Sequence, residues 1–227
     1  TITVHSEGNR DFVIAHGAAP ERVRVVHNWV DLDELAPGPK ENAWRERHGL
    51  EGRFLVTFAG TMGFAQGLED VIEAASQLRG MPDLTLVLAG DGVLRSKLEK
   101  LAVSRGLEFI RFLPPQGTDD YLALLHASDL CLVTLDKKLA TPVVPGKLQS
   151  VLAAGRPVVF YANPASDGRR MLAESKAGTF VPSGDIAGLA RAVRAAWNAR
   201  PTGVFMGTNG RRFAVDNFDR TKGDAAE

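Results

Sequence analysis

The feature that most constrains this chain is a series of short apolar runs that do not alternate with polar residues, each followed by an amphipathic stretch. The runs lie at 54–59, 84–89, 109–112, 130–135, 157–160 and 179–181, and two earlier ones lie at 2–5 and 23–27. A strand covered on both faces has no polar side to show, so these runs read as strands of a parallel sheet. The stretches at 68–79, 93–105, 118–126, 147–154, 169–175 and 186–199 read as helices. In the first of these, Leu68, Val71, Ile72, Ala75 and Leu78 recur at spacings of three and four and so share one face. Strand–helix–strand repetition with short links predicts right-handed crossovers and an α/β fold with a doubly wound, mostly parallel six-stranded sheet. Such sheets take their ligands beyond the carboxyl ends of the strands, near the point where the strand order reverses.

Residues 1–38 carry two strands and one helix, too little to bury a core of their own. They read as a remnant of another domain followed by a turn-rich linker, Ala36-Pro37-Gly38-Pro39-Lys40. Residues 39–200 are expected to form the main domain, and 201–227 a C-terminal helix over 207–217 with a frayed tail. The opening Thr1-Ile2-Thr3-Val4-His5 resembles a strand entered in mid-protein more than a leader, so we expect a piece of a longer chain. Lys+Arg and Asp+Glu balance at 27 each and are dispersed, which argues against nucleic-acid binding or a polybasic arm. Cys131 is the single cysteine, so a disulfide within the chain and a cysteine-built zinc site are both excluded. His5, His16, His27, His48 and His126 lack the spacing of a helical metal site, and no metal or cofactor is expected. No apolar run is long enough to span a bilayer. A cytoplasmic location is expected, at the inner face of the membrane in the intact protein.

Four segments could carry chemistry. Gly60-Thr61-Met62-Gly63, with Gln66 shortly after, joins a buried strand to a helix start. Such a loop either cradles a phosphate at the helix N-terminus or is a plain tight turn. Its spacing is neither G-x-G-x-x-G nor G-x-x-x-x-G-K-[ST], so neither a dinucleotide fingerprint nor a P-loop is present. Gly90-Asp91-Gly92 ends the next strand, and Asp91 either takes a ribose or sugar hydroxyl or serves as a turn residue. Phe112-Leu113-Pro114-Pro115-Gln116 forms a stiff connection that either walls a planar base or only joins strand to helix. Pro145-Gly146-Lys147-Leu148, followed by Ser150, starts a helix with a cation in its first turn. That position disfavours positive charge, so Lys147 calls for an anion such as a ligand phosphate unless it is simply solvated.

Together these segments resemble one family. Val25-Val26-His27-Asn28-Trp29-Val30-Asp31, Phe58-Ala59-Gly60-Thr61-Met62-Gly63, Leu88-Ala89-Gly90-Asp91-Gly92, Ile110-Arg111-Phe112-Leu113-Pro114 and Pro145-Gly146-Lys147 through Pro157-Val158 stand in the order and spacing of the C-terminal half of GT-B glycosyltransferases of the retaining family 4. The wording is similar to the branch acting on cell-surface polysaccharides, including N-acetylfucosaminyl-like amino-sugar transferases. The resemblance implies a Rossmann-like domain that binds a nucleotide-diphosphate sugar, UDP-linked, without a metal. It implies a glycan or lipid-linked acceptor bound by an N-terminal domain largely absent from this chain, and a cut face able to self-associate. It implies donor contacts from Gly60, Thr61, Met62, Gly63, Gln66, Gly90, Asp91, Gly92, Phe112, Leu113, Pro145, Gly146, Lys147, Leu148 and Ser150. The chain departs from the family at four positions. Thr61 and Gln66 stand where many members carry an arginine and a lysine, and Pro142 and Ser150 stand where many carry glutamates. A non-catalytic nucleotide-binding or partner module of the same fold is the alternative.

Overall fold

The computed structural model describes residues 1–26, 28–139, 142–200 and 203–219. His27, Thr141 and the expected tail beyond 219 lie outside the described residues. The chain runs β1 (Ile2–Val4), α1 (Glu7–Ala15), β2 (Val23–Val25), α2 (Ala43–His48), β3 (Phe54–Ala59), α3 (Leu68–Ser76), β4 (Leu84–Ala89), α4 (Arg95–Ser104) and β5 (Ile110–Leu113). It continues through α5 (Thr118–Ala127), β6 (Leu130–Thr134), α6 (Gly146–Ala153), β7 (Val158–Ala162), α7 (Gly168–Ser175), β8 (Gly178–Pro182), α8 (Ile186–Asn198) and α9 (Gly203–Asn217).

The main sheet has six strands in the order β5-β4-β3-β6-β7-β8, and every pairing is parallel. The chain grows from β3 to one edge, returns to the centre at β6 and grows to the other edge. The order therefore reverses between β3 and β6. Alternate residues of each central strand feed opposite cores. Val56, Phe58, Leu130, Leu132, Val159 and Tyr161 pack under α3 and α8. Cys131, Val133, Val158 and Phe160 pack under α6, α7 and α9. Two-sided burial is thus the physical reason the strands read as continuous apolar runs.

Local boundaries differ from expectation where backbone chemistry intervenes. β7 begins at Val158, not 157, and continues to Ala162, where it pairs with Pro182; Pro157 has no N–H to give the ladder. Helix α4 begins at Arg95 rather than 93, because Leu94 donates its N–H to Met62 O at 3.0 Å. Helix α9 is longer than the expected 207–217. Helix α2 was not anticipated at all. Asn42 caps it by accepting from Arg45 N at 3.2 Å, and the Arg45 guanidinium, fully buried, donates to the carbonyls of Leu50, Arg53 and Ala127 and pairs with Asp129 at 2.8 Å.

β1 and β2 form a separate parallel pair with Ile2 opposite Val23. The segment joining them to the main sheet is strapped down. His126 Nε2 donates to Ala36 O at 2.8 Å, Arg211 donates to Leu32 O at 3.1 Å, and Lys40 pairs with Asp129. Asp167 accepts from Gly8 N at 2.8 Å, at the start of α1. Among the described residues no helix is long and apolar enough to cross a membrane.

Candidate functional site

The reversal point gathers the loops after β3, β4 and β5 and the N-terminus of α6 around one cavity of about 380 Å³. Gly60, Thr61, Gly90, Asp91, Pro115, Gln116, Tyr121 and Lys147 line it. Gly60 and Gly90 have φ of +141° and +143°, where side chains are strained. A Cβ on Gly90 would strike the Gly60 carbonyl, and one on Gly60 would strike the Lys147 ammonium. The two loops therefore pack backbone on backbone, with the lysine tip directly against the first.

Lys147 is half-buried, and its Nζ lies 4.6 Å from the centre of the Phe58 ring. Burial holds its ammonium below the ordinary lysine value, with no opposing charge to raise it. The first turn of α6 contains no acidic residue. The opening N–H groups of that helix have no intrahelical carbonyl to bond. Among the described residues no salt bridge reaches Lys147, so a cation, free amides and a positive helix end converge there, an arrangement that suits an anion.

The structure brings some of the expected residues to this cavity and gives others different work. Gly60, Thr61, Gly90, Asp91 and Lys147 line it, and Pro145 and Gly146 start the helix beside it. Met62 does not: its side chain is wholly buried, its N–H donates to Asp91 O at 2.7 Å and its carbonyl accepts from Leu94. Gln66 folds back on its own loop, accepting from Gly63 N at 3.1 Å. Gly92 takes the Asp91 carboxylate on its N–H at 2.8 Å, behind the cavity wall. The Leu113 carbonyl is occupied by Gly90 N at 3.0 Å and Arg95 Nη1 at 2.8 Å. Phe112 packs its ring on the core; since alternate residues of an edge strand bond inward, its N–H and C=O face off the open side of β5. The Leu148 side chain is core. Ser150 lines a neighbouring cavity of about 390 Å³ with Trp29, Asp31 and Glu34. Tyr121 lines both cavities and was not singled out in the sequence. The signal that could have found it is an aromatic in the first turns of the helix that follows the proline wall.

A larger cavity, about 570 Å³, lies at the opposite ends of the strands, between α8 and α9. Three of its cations are engaged: Arg200 pairs with Asp83 at 2.6 Å, Lys40 pairs with Asp129, and Arg211 holds the Leu32, Leu35 and Ala153 carbonyls, while Arg156 donates to Gly38 O and leaves its buried Nε without a partner. The smaller cavity, at the carboxyl ends and the reversal point, is where this fold places its ligands. Among the described residues no cluster of three or more His, Cys, Asp or Glu stands close enough to hold a metal.

Fold and site together define a Rossmann-like α/β domain with a cationic crevice at its strand reversal. The chain belongs to the glycosyl transferases group 1 family, whose model matches residues 53–199. It is 35% identical over 164 residues to the putative colanic acid biosynthesis glycosyl transferase WcaI of Escherichia coli strain K12, covering 71% of this chain and 40% of that one. It is 35% identical over 128 residues to a D-inositol 3-phosphate glycosyltransferase of Mycobacterium sp. strain KMS, covering 53% of this chain and 28% of that one. The chain thus spans less than half the length of these relatives. Its fold matches that of Anabaena Alr3699/HepE in complex with UDP and glucose at a TM-score of 0.85 and 21% identity, over 98% of this chain and 60% of that one.

Proposed function

We propose that this chain is the donor-binding half of a glycosyltransferase and holds a UDP-linked sugar in the 380 Å³ cavity. The observation that carries the reading is Lys147: an unpaired, half-buried ammonium set against the Gly60 loop at the N-terminus of α6. In this reading the diphosphate sits on the amides of Thr61, Gly146 and Lys147, since the Gly60 N–H is already given to Ala89 O at 2.8 Å. The base extends towards Pro115 and Gln116, and Asp91 takes a hydroxyl. The leaving diphosphate is stabilised in retaining transfer by fixed N–H groups, the helix end and the ammonium, without a metal. Support for uridine comes from Alr3699/HepE, solved with UDP and with UDP-glucose. The name of WcaI supports a place in cell-envelope polysaccharide synthesis. A glycan or lipid-linked acceptor would then be held by the partner domain of the intact protein, on the cytoplasmic side of the membrane.

A second reading, a non-catalytic module of the same fold, is favoured by Thr61, Gln66, Pro142 and Ser150 standing where many members carry charge. Calorimetric titration of the chain with UDP, UDP-N-acetylglucosamine, GDP and ADP separates the two. The donor reading expects saturable binding of the uridine compounds, weakened at least tenfold, about 1.4 kcal/mol, by Lys147→Ala. No binding at millimolar ligand would overturn it and leave the module.

A further inference from the structure

Tyr121 stands between two cavities of nearly equal size. On one side it closes the cavity that contains Gly60 and Lys147, about 380 Å³. On the other it borders the 390 Å³ cavity that opens beside Trp29, Asp31 and Ser150. The ring is held in place. Its body packs against the cluster containing Leu148 and Val151. The Ser150 hydroxyl lies at its phenol, and burial pushes that phenol up to about 12, so it stays neutral at ordinary pH. The partition is therefore a fixed, uncharged aromatic wall.

A diphosphate seated beside Lys147 leaves the rest of the cavity, lined by Pro115, Gln116 and Tyr121, for its base. Gln116 cannot swing aside freely, because its Oε1 accepts from Trp44 Nε1 at 3.2 Å and its Nε2 donates to Pro114 O at 2.8 Å. At about 380 Å³ the cavity lies near the lower limit of small-molecule sites, roughly 300–1,000 Å³. A fused two-ring base needs more room than a single ring, and Tyr121 is the wall between this cavity and the next.

We propose that Tyr121 sets the base selectivity of this site, admitting a pyrimidine nucleoside diphosphate and excluding a purine one. The inference rests on the donor reading given above. Removing the ring joins the two cavities and makes room for the second ring of a purine. Purine diphosphates then gain while the diphosphate contacts at Gly60 and Lys147 are untouched.

The test is calorimetric titration of the chain and of its Y121A and Y121F variants with UDP, CDP, GDP and ADP, each variant first checked by circular dichroism and thermal melting. The wild-type chain is expected to bind UDP and CDP at least tenfold more tightly than GDP and ADP. Y121A is expected to lose at least tenfold of that preference, and Y121F, which keeps the ring, to retain it. Uridine binding with the same preference in Y121A as in the wild type would overturn the role of Tyr121 and leave the donor reading standing. A wild-type chain that prefers purines overturns it as well. A wild-type chain that binds no diphosphate overturns the donor reading and this inference with it. If Y121A does not fold, Y121L carries the same comparison with less loss of packing.

Discussion

At the scale of single residues, the site depends on charge that the fold does not neutralise. Burial lowers the Lys147 pKa, so the ligand-free folded chain gives up this proton at a lower pH than the unfolded chain does. Between the two values the unfolded state binds more protons, and stability rises with pH there. Below that window the buried cation costs the folded state. Lys147→Met is therefore expected to raise the thermal midpoint of the ligand-free chain at neutral pH while abolishing diphosphate binding; a lowered midpoint would show that the ammonium stabilises the fold by itself. Gly60→Ala acts on the same spot from the other side. It forces a strained φ and drives a methyl into the lysine tip, so we expect about 1–3 kcal/mol of lost stability together with weakened binding, read by urea denaturation and titration. Lys147 and Gly60 were legible in the sequence, because a cation in a helix first turn and a glycine after a buried strand are both locally anomalous. Met62 and Leu148 fell within the same motifs, yet their side chains are core. A motif gives the position of the backbone, whereas the direction of a side chain follows from its neighbours. Tyr121 carries no local anomaly, and its place between two cavities exists only after α5 has packed beside α6.

At the scale of elements, the helices that sequence periodicity found are those with a long apolar face. Helix α3 buries Leu68, Val71, Ile72 and Ala75, and the spacing alone shows it. Helix α2 has six residues and no such face. It exists because Trp44 and Arg45 are buried against α5 and the loop after it, and no periodicity reports that. Arg45→Ala removes a guanidinium that serves the Leu50, Arg53 and Ala127 carbonyls and Asp129, and should cost about 3 kcal/mol or more in urea denaturation. The strap between the strand pair and the main sheet adds a pH dependence. Burial lowers the pKa of His126 from its ordinary 6.5, as it does for His48, so the unfolded chain protonates first as the pH falls. The stability each contributes is present above pH 6.5 and is lost as the pH falls towards the folded value. His126→Gln should flatten the pH dependence of the melting temperature below pH 6.5, and an unaltered profile would place the effect elsewhere.

At the scale of the whole molecule, the small β1–α1–β2 unit and the segment after it leave Ile2, Phe12, Val26 and Trp29 exposed at 40%, 41%, 47% and 54%. Exposed apolar surface of this kind promotes association. Sedimentation is expected to show self-association that grows with concentration and that falls when Phe12 and Val26 are changed to serine; a monomer at every concentration would refute it. The amino-acid sequence by itself determined that this is a parallel α/β sheet with glycine-rich loops at its carboxyl ends. Strand character follows from residues adjacent in the chain, and strands buried on both faces leave an unbroken apolar record. It also determined the family, because the glycine loops and the helix start at Lys147 keep their order along the chain. Only the tertiary structure decided the strand order β5-β4-β3-β6-β7-β8, the packing of Lys147 against the Gly60 loop and the wall at Tyr121. These depend on distances between segments far apart in sequence, and such distances are fixed by packing both faces of the sheet at once.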